Sequence, residues 1–429
     1  MREKWSSSIG FILASIGSAV GLGNIWRFPY IVGLNGGGAF LIPYLIAVFL
    51  CGLPLMVLEF AMGRNSKNSV VATLSAIRKR FRFAGFFLVF VMGMILSYYL
   101  VITSWVLAYS LFFISGVTIL FSTFTGSYYP LLFFLMSGIV SFIVVRAGVK
   151  RGIEKLSKLL VPVLFGMLCV LVFFSLSLPG AMRGIEFYLT PDFSKLFNPF
   201  VWTAAFGQAF FSLSVGVGIM LTYGSYMGEE RIVKNAAIIT VADLLVAILS
   251  GLVIFPIVFS FGLDPAAGVK LAFVTLPPIF QQMSFGSFWG AVFFLLLFLA
   301  ALTSSISMLE VPVATLIDSY GFKRKNATMI VSLIVILIGL PSALSYTTLQ
   351  LELFGRPLLD LKDFAFGTVG IIASGLVLSI IAGWFLDPGI IFKEIKGGRR
   401  IQKLFLIIIR FFIPLILFIN LIARVIKPD

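Results

Sequence analysis

Residues 17–30 read GSAVGLGNIWRFPY, three glycines with Asn24 and Arg27 set inside an apolar run that extends from about residue 9 to residue 34. An arginine at membrane depth is costly, and such groups normally line a cavity or a water-filled path. Gly17 and Gly21 form a GxxxG pair, so close helix packing is a competing reading of the same stretch. In lipid, every backbone group needs a partner, and unwound chain survives only where it lines a cavity or meets a ligand.

The rest of the chain supports the membrane setting. It has 429 residues, 60% of them hydrophobic and 11% charged, with a mean hydropathy of +1.10. Apolar spans fall near 9–34, 38–62, 83–113, 128–146, 156–178, 201–226, 232–261, 288–317, 326–345, 364–392 and 403–426, which predicts an all-α polytopic membrane protein with 11 transmembrane helices. The first run is too long, and too polar where cleavage would fall, for a signal peptide, so it is expected to remain in place.

Of the 32 Lys and Arg, 23 fall on one set of alternate loops, from Arg2 and Lys4 through the 64–82 and 146–158 clusters to Lys403. Seven fall on the opposite set, and Arg27 and Arg410 lie at depth. The positive-inside rule then predicts a cytoplasmic amino terminus in the cell membrane. The net charge of +15 is accounted for by anionic lipid, with no nucleic-acid partner.

The chain contains no histidine, and its two cysteines, Cys51 and Cys169, stand far apart in apolar surroundings. Zinc sites, disulfide frameworks and Cys/His nucleophiles are poor fits, and no paired-carboxylate arrangement points to an enzyme. A channel would call for repeated filter loops.

The outer loop 179–200, with Pro179, Pro191 and Pro199, divides the chain into a first five-helix unit (1–180) and a second (200–392), leaving 403–426 as an additional helix. The first segment of each unit is interrupted, by GSAVGLGN at 17–24 and by SLSVGVG at 212–218. Matching breaks in two halves indicate a 5+5 inverted-repeat transporter, with its site where helices 1 and 6 break. Half-helix N-termini there would face an anion such as a carboxylate, while freed carbonyls and hydroxyls would hold alkali cations. Helix 8 adds the hydroxyls of ALTSSISMLE at 301–310, which can also bond back to their own helix. Helix 3 adds Tyr98 and Tyr99, either a cavity hydroxyl or part of an interfacial belt.

Six stretches carry a resemblance: WSSSIGFILASIGSAVGLGNIWRFPY at 5–30, NGGGAFLIPY at 35–44, PLMVLEFAMGR at 54–64, GQAFFSLSVGVG at 207–218, TLPPIFQQM at 275–283 and LTSSISMLE at 302–310. The chain resembles the neurotransmitter:sodium symporter family, in its prokaryotic amino-acid transporter branch. The resemblance implies sodium-coupled uptake of an amino acid by alternating access, with two sodium ions. It places one ion on the Ala19 carbonyl, Asn24, Ser212 and Asp243, and the other on the carbonyls of Gly17, Val20 and Ala300 with the hydroxyls of Thr303 and Ser304. The substrate carboxylate would meet Gly23 and Tyr99, and its amine the carbonyls near Ala19, Phe211 and Ser214. Its side chain would face Leu22, Ile95, Phe211, Val217, Ser304 and Met308.

The resemblance also implies an outer gate of Arg27 with Asp363, and an inner gate of Arg2 with Asp318, flanked by Ser225 and Tyr226. Glu59 is expected to buttress the helix 6 break. Asp243 stands where many members have Asn, beside Tyr44, Gln208 and Ser212, which match a chloride pocket; its fixed charge leads to the expectation that chloride is not required. Val217 replaces a bulkier Phe, which predicts neutral hydrophobic or aromatic substrates. A proton-coupled amino-acid carrier and a substrate-binding sensor without net flux are the alternatives; Thr303 and Ser304 favour sodium over the first.

Overall fold

Long apolar runs can cross lipid only as helices that satisfy their own backbone groups, so the chain's architecture follows from where each run stops. A computed structural model describes residues 3–265, 271–395 and 398–426. Among these, nine helices are long and apolar enough to span a membrane: α3 (Gly38–Ser66), α4 (Lys79–Ile114), α5 (Tyr129–Arg146), α6 (Val149–Leu176), α9 (Ile232–Ser260), α10 (Gly286–Tyr320), α11 (Arg324–Leu344), α12 (Leu358–Phe385) and α13 (Arg399–Ile426). Ahead of them, α1 (Ser8–Ala19) and α2 (Gly23–Leu34) form one span bent by 48° at its break. Between α6 and α9, α7 (Pro199–Ser212) and α8 (Ile219–Gly224) form a second interrupted segment. These segments coincide with the eleven apolar runs of the sequence, and both breaks fall at the glycine-rich stretches.

Each break has a local cause. Helix α1 opens at Ser7, whose side chain accepts the Gly10 amide, and closes at Val20, where ψ swings to 106°. In the second break Ser214, Gly216 and Gly218 take positive φ angles of 54°, 84° and 85°. A Cβ on Gly216 would come within 2.8 Å of the Gly375 Cα in α12, so only glycine fits that close approach.

Helix α10 packs along α4, α9 along α6, and α3 against α8, which encloses both breaks. The last span, α13, packs on α12 and on the outer half-helix α7. Outside the spans, the 63–82 loop contains a short helix, Val70–Ile77, and the 179–200 loop contains Ala181–Leu189. A two-stranded hairpin pairs Glu352–Leu353 with Arg356–Pro357.

Candidate functional site

The two breaks face one another across a central cavity of about 30 Å³. From the first break, Ala19 and Gly23 line it, with Ser18 and Gly21 beside them; from the second come Phe211, Ser214 and Val217. Helix α4 contributes Ile95 and Tyr99, and α10 contributes Ser304 and Met308. Leu22 differs from expectation: it lines an outer vestibule of about 370 Å³, which shares Tyr99 and Phe211 with the central cavity. Met92, Ile219 and Ile371 also line the central cavity. They are ordinary apolar residues in apolar helices, and nothing in the sequence distinguishes them from core packing.

The polar atoms of the cavity come from backbone freed at the breaks. The Leu22 amide donates to the Tyr99 hydroxyl at 3.3 Å, which sets a backbone donor and a phenol side by side at the first break. The Gly23 carbonyl accepts from Gln208 Nε2 at 2.7 Å, which ties the first break to α7. Ser214 Oγ donates to the Ser18 carbonyl at 3.0 Å, joining the two breaks.

A buried polar cluster lies beside the cavity. Asn24 Nδ2 donates to Ser212 Oγ at 2.8 Å and to Asp243 Oδ1 at 2.7 Å, while its Oδ1 accepts the Gly21 amide at 3.1 Å. Ser212 Oγ lies 2.9 Å from Asp243 Oδ2. Asn24, Ser212 and Asp243 are thus brought together as expected, but the amide shows Asp243 its nitrogen and not its oxygen. A half-turn of that amide would exchange the two atoms in place and present three oxygens to a cation. The Tyr44 hydroxyl lies 3.4 Å from Ser212 Oγ, and Gln208 Oε1 is a buried acceptor without a hydrogen-bond partner among the described residues.

The second group of expected cation ligands converges between α1 and α10. Ser304 Oγ is 3.2 Å from the Ser18 carbonyl and 3.5 Å from the Val20 carbonyl. Thr303 Oγ1 bonds back to Ala300 O at 3.0 Å, and a Cβ on Gly17 would sit 3.2 Å from that of Thr303. Gly17, Val20, Ala300, Thr303 and Ser304 therefore meet at one place, and hard oxygen donors of this kind suit an alkali cation.

Toward the outside, Arg27 and Asp363 line the same vestibule with Asp360, Trp26 and Trp105. Among the described residues no ion pair joins Arg27 to Asp363; the guanidinium lies 4.3 Å above the Phe211 ring instead. A cation over an aromatic face is attracted by about 0.5–2 kcal/mol, so Arg27 presses on the ring that separates vestibule from cavity. At the vestibule edge the Tyr346 hydroxyl donates to Asp360 at 2.9 Å, and burial, then that carboxylate, push its phenol above the usual range.

On the side that carries the amino terminus, expected to be the inner one, aromatic side chains pack closely. Trp5 is 7% exposed, packs against the rings of Phe11, Tyr223 and Tyr226, and donates its Nε1 hydrogen to the Tyr223 carbonyl at 3.0 Å. Arg2, expected in the inner gate, lies outside the described residues; Asp318 sits in the last turns of α10. Sequence reading missed the network beside it. Arg324 holds Glu310 in a two-pronged pair, at 3.0 and 2.6 Å, and reaches Glu3 at 3.1 Å, while Tyr226 donates to Glu310 at 2.5 Å. Glu310 is fully buried.

Removing one partner of a buried charge pair costs about 3–5 kcal/mol. Arg324→Gln should therefore loosen the inner seal. In a background with Cys51 and Cys169 replaced by Ser, thiol labelling of a buried Thr222→Cys probe from the inner side should then run at least about tenfold faster. An unchanged labelling rate would show that the network does not hold the inner side closed.

The second break rests on Glu59, which is fully buried in α3. Its carboxylate accepts the Gly216 amide, and the Leu221 amide at 3.2 Å. It buttresses the break, as expected.

Known proteins share this arrangement. The family model described as the sodium:neurotransmitter symporter family matches residues 2–119 and 125–429. An uncharacterized sodium-dependent transporter of Bacillus subtilis is 37% identical over 98% of both chains. Another, from Methanocaldococcus jannaschii, is 41% identical over 79% of this chain and 74% of its own. Among solved structures, MhsT in complex with L-phenylalanine superposes with a TM-score of 0.90 at 38% identity, covering 99% of this chain and all of that one. With two broken helices enclosing a central cavity and a family match along almost the whole length, this multi-pass membrane chain belongs to the sodium:neurotransmitter symporter family, whose members are sodium-dependent secondary transporters and not enzymes.

Proposed function

We propose that the chain carries neutral hydrophobic or aromatic amino acids inward across the cell membrane together with two sodium ions, with its amino terminus on the cytoplasmic side. The observation that carries this reading is the meeting of both helix breaks at a largely apolar cavity flanked by two oxygen-rich clusters. The amide of Gly23, with that of Leu22 beside it, and the Tyr99 hydroxyl would receive the carboxylate, and the carbonyls around Ala19, Phe211 and Ser214 the amine. Ile95, Val217 and Met308 would enclose the side chain. The phenylalanine bound by MhsT supports an amino acid of this size.

One ion would bind among Ala19, Asn24, Ser212 and Asp243, the other among Gly17, Val20, Ala300, Thr303 and Ser304. Each sodium ion entering down 100 mV gains about 2.3 kcal/mol, and a tenfold gradient adds about 1.4. Two ions supply on the order of 7 kcal/mol, enough for steep accumulation of a neutral solute. The units 1–180 and 200–392 would act as the two inverted halves. Arg27 and Asp363 would approach one another as the outer side closes, and Asp318 would work with the amino terminus inside.

Asp243 supplies a fixed negative charge where the chloride pocket would lie, so transport should not require chloride. The test is uptake into proteoliposomes of labelled leucine, tryptophan, tyrosine and alanine under an inward sodium gradient or matched potassium. Sodium-driven uptake that persists when chloride is exchanged for gluconate is expected. Loss in gluconate would reject chloride independence. Uptake driven by a proton gradient alone would favour the proton-coupled alternative, and binding without flux the sensor.

A further inference from the structure

The wall of the central cavity is not built only by the two broken helices and their neighbours α4 and α10. Ile371, from α12, lines it too, together with Met92 of α4 and Val217 of the second break. Two glycines on α12 bring it there. Gly375 lies against Gly216, near enough that a Cβ on Gly216 would come within 2.8 Å of the Gly375 Cα. Gly370 lies against Val91, with its own Cβ position 3.1 Å from a Val91 methyl. Ile371 stands between these two close approaches, next to Gly370 and one helical turn before Gly375, so the backbone of α12 is held at a fixed distance on both sides. Its side chain is 8% exposed, and the cavity accounts for its place as a lining residue.

Val217 ends at two methyl groups, and the branched chain of Ile371 lines the same cavity. Met92 and Met308, which share the cavity, are unbranched and can bend aside. Ile371 is β-branched, stiff at its first torsion and carried on a backbone clamped by glycine contacts. A bulky substrate can displace the methionines, but it cannot displace this wall.

We propose that Ile371 is a specificity-determining residue, setting the largest side chain the cavity admits. The inference rests on the central cavity being the amino-acid site. It also assigns α12 a double position, because Asp363 lies in the π-helical stretch Asp363–Gly370 that ends immediately before Ile371. The helix that presents a carboxylate to the outer vestibule is therefore the helix that also lines the central cavity.

The experiment compares kcat/KM for tryptophan and alanine in proteoliposomes containing the full chain. One missing or extra methylene in an apolar pocket changes discrimination by about 10–200-fold when the wall is rigid. Ile371→Ala should raise the tryptophan-to-alanine ratio by about tenfold or more, and Ile371→Phe should lower it by a similar factor. Ile371→Val, which removes one methyl and is the variant least disturbing to the fold, should move the ratio in the same direction as Ile371→Ala. A purely structural role would not move the ratio in opposite directions for smaller and larger residues. Ratios within about twofold of the parent in all three variants, or shifted in one direction by both Ala and Phe, would overturn the assignment. If the parent chain shows no sodium-driven uptake of any amino acid tested, the transport reading fails first, and the inference with it.

Discussion

Glu59→Ala destabilises the solubilised protein by about 2–6 kcal/mol, the largest stability loss expected from any single side chain at the breaks. The chain between α7 and α8 carries backbone amides that no helix satisfies, and Glu59 accepts at least two of them, from Gly216 and Leu221. A buried donor left unpaired loses about 1–3 kcal/mol, and neither water nor lipid reaches this position, where Glu59 is fully buried. Glu59→Gln keeps the shape and one accepting oxygen but turns an NH₂ group toward an amide, so it should fall between the parent and the alanine variant. Stability is read as the fraction surviving size-exclusion chromatography after stepped heating. An alanine variant that survives as well as the parent would mean that the break does not depend on this carboxylate.

Thr303→Val lowers apparent sodium affinity by about 10–100-fold and reduces uptake correspondingly at fixed sodium. Valine matches threonine in shape and removes only the hydroxyl, which stands among Ala300, Gly17 and Ser304 where α10 meets the first break. A polar group held on a charge contributes about 1.5–3 kcal/mol, and 1.4 kcal/mol is a factor of ten. The measurement is the sodium concentration giving half-maximal leucine uptake, with potassium as the balancing cation. Ser304→Ala should act in the same direction, with an added effect on substrate because Ser304 also lines the cavity. A Thr303→Val protein with the parent's sodium dependence would remove the second cation site from the proposal.

The contrast between these residues explains what the sequence disclosed. GSAVGLGN and SLSVGVG violate the continuity of a lipid-spanning helix, so the breaks were legible from residue type alone. Asn24, Thr303 and Ser304 were legible for the same reason, as polar groups where lipid tolerates few. Glu310, Arg324 and Glu3 were not, because Arg324 meets Glu310 from 14 residues on, across the turn between α10 and α11, and Glu3 from the other end of the chain, and neither spacing leaves a local pattern. Ile371 and Met92 look like any apolar residue in an apolar helix until the glycine contacts of α12 place one of them at the cavity. Leu22 and the Asn24 amide show a further limit: the sequence located the break, but which cavity Leu22 lines depends on the assembled fold, and the direction of the amide on Asp243, which approaches from another helix.

The seal around Trp5 has a spectroscopic consequence. The chain has six tryptophans; Trp5 sits in the inner aromatic cup, whereas Trp26 and Trp105 border the outer vestibule. Opening either side wets a different set of indoles. Intrinsic fluorescence, with a collisional quencher confined to one compartment at a time, would then follow the alternation of the two faces in an unlabelled protein, and a single Trp5→Phe replacement would remove the part of the inner-side quenching that changes with opening, leaving the steady contribution of the exposed Trp384.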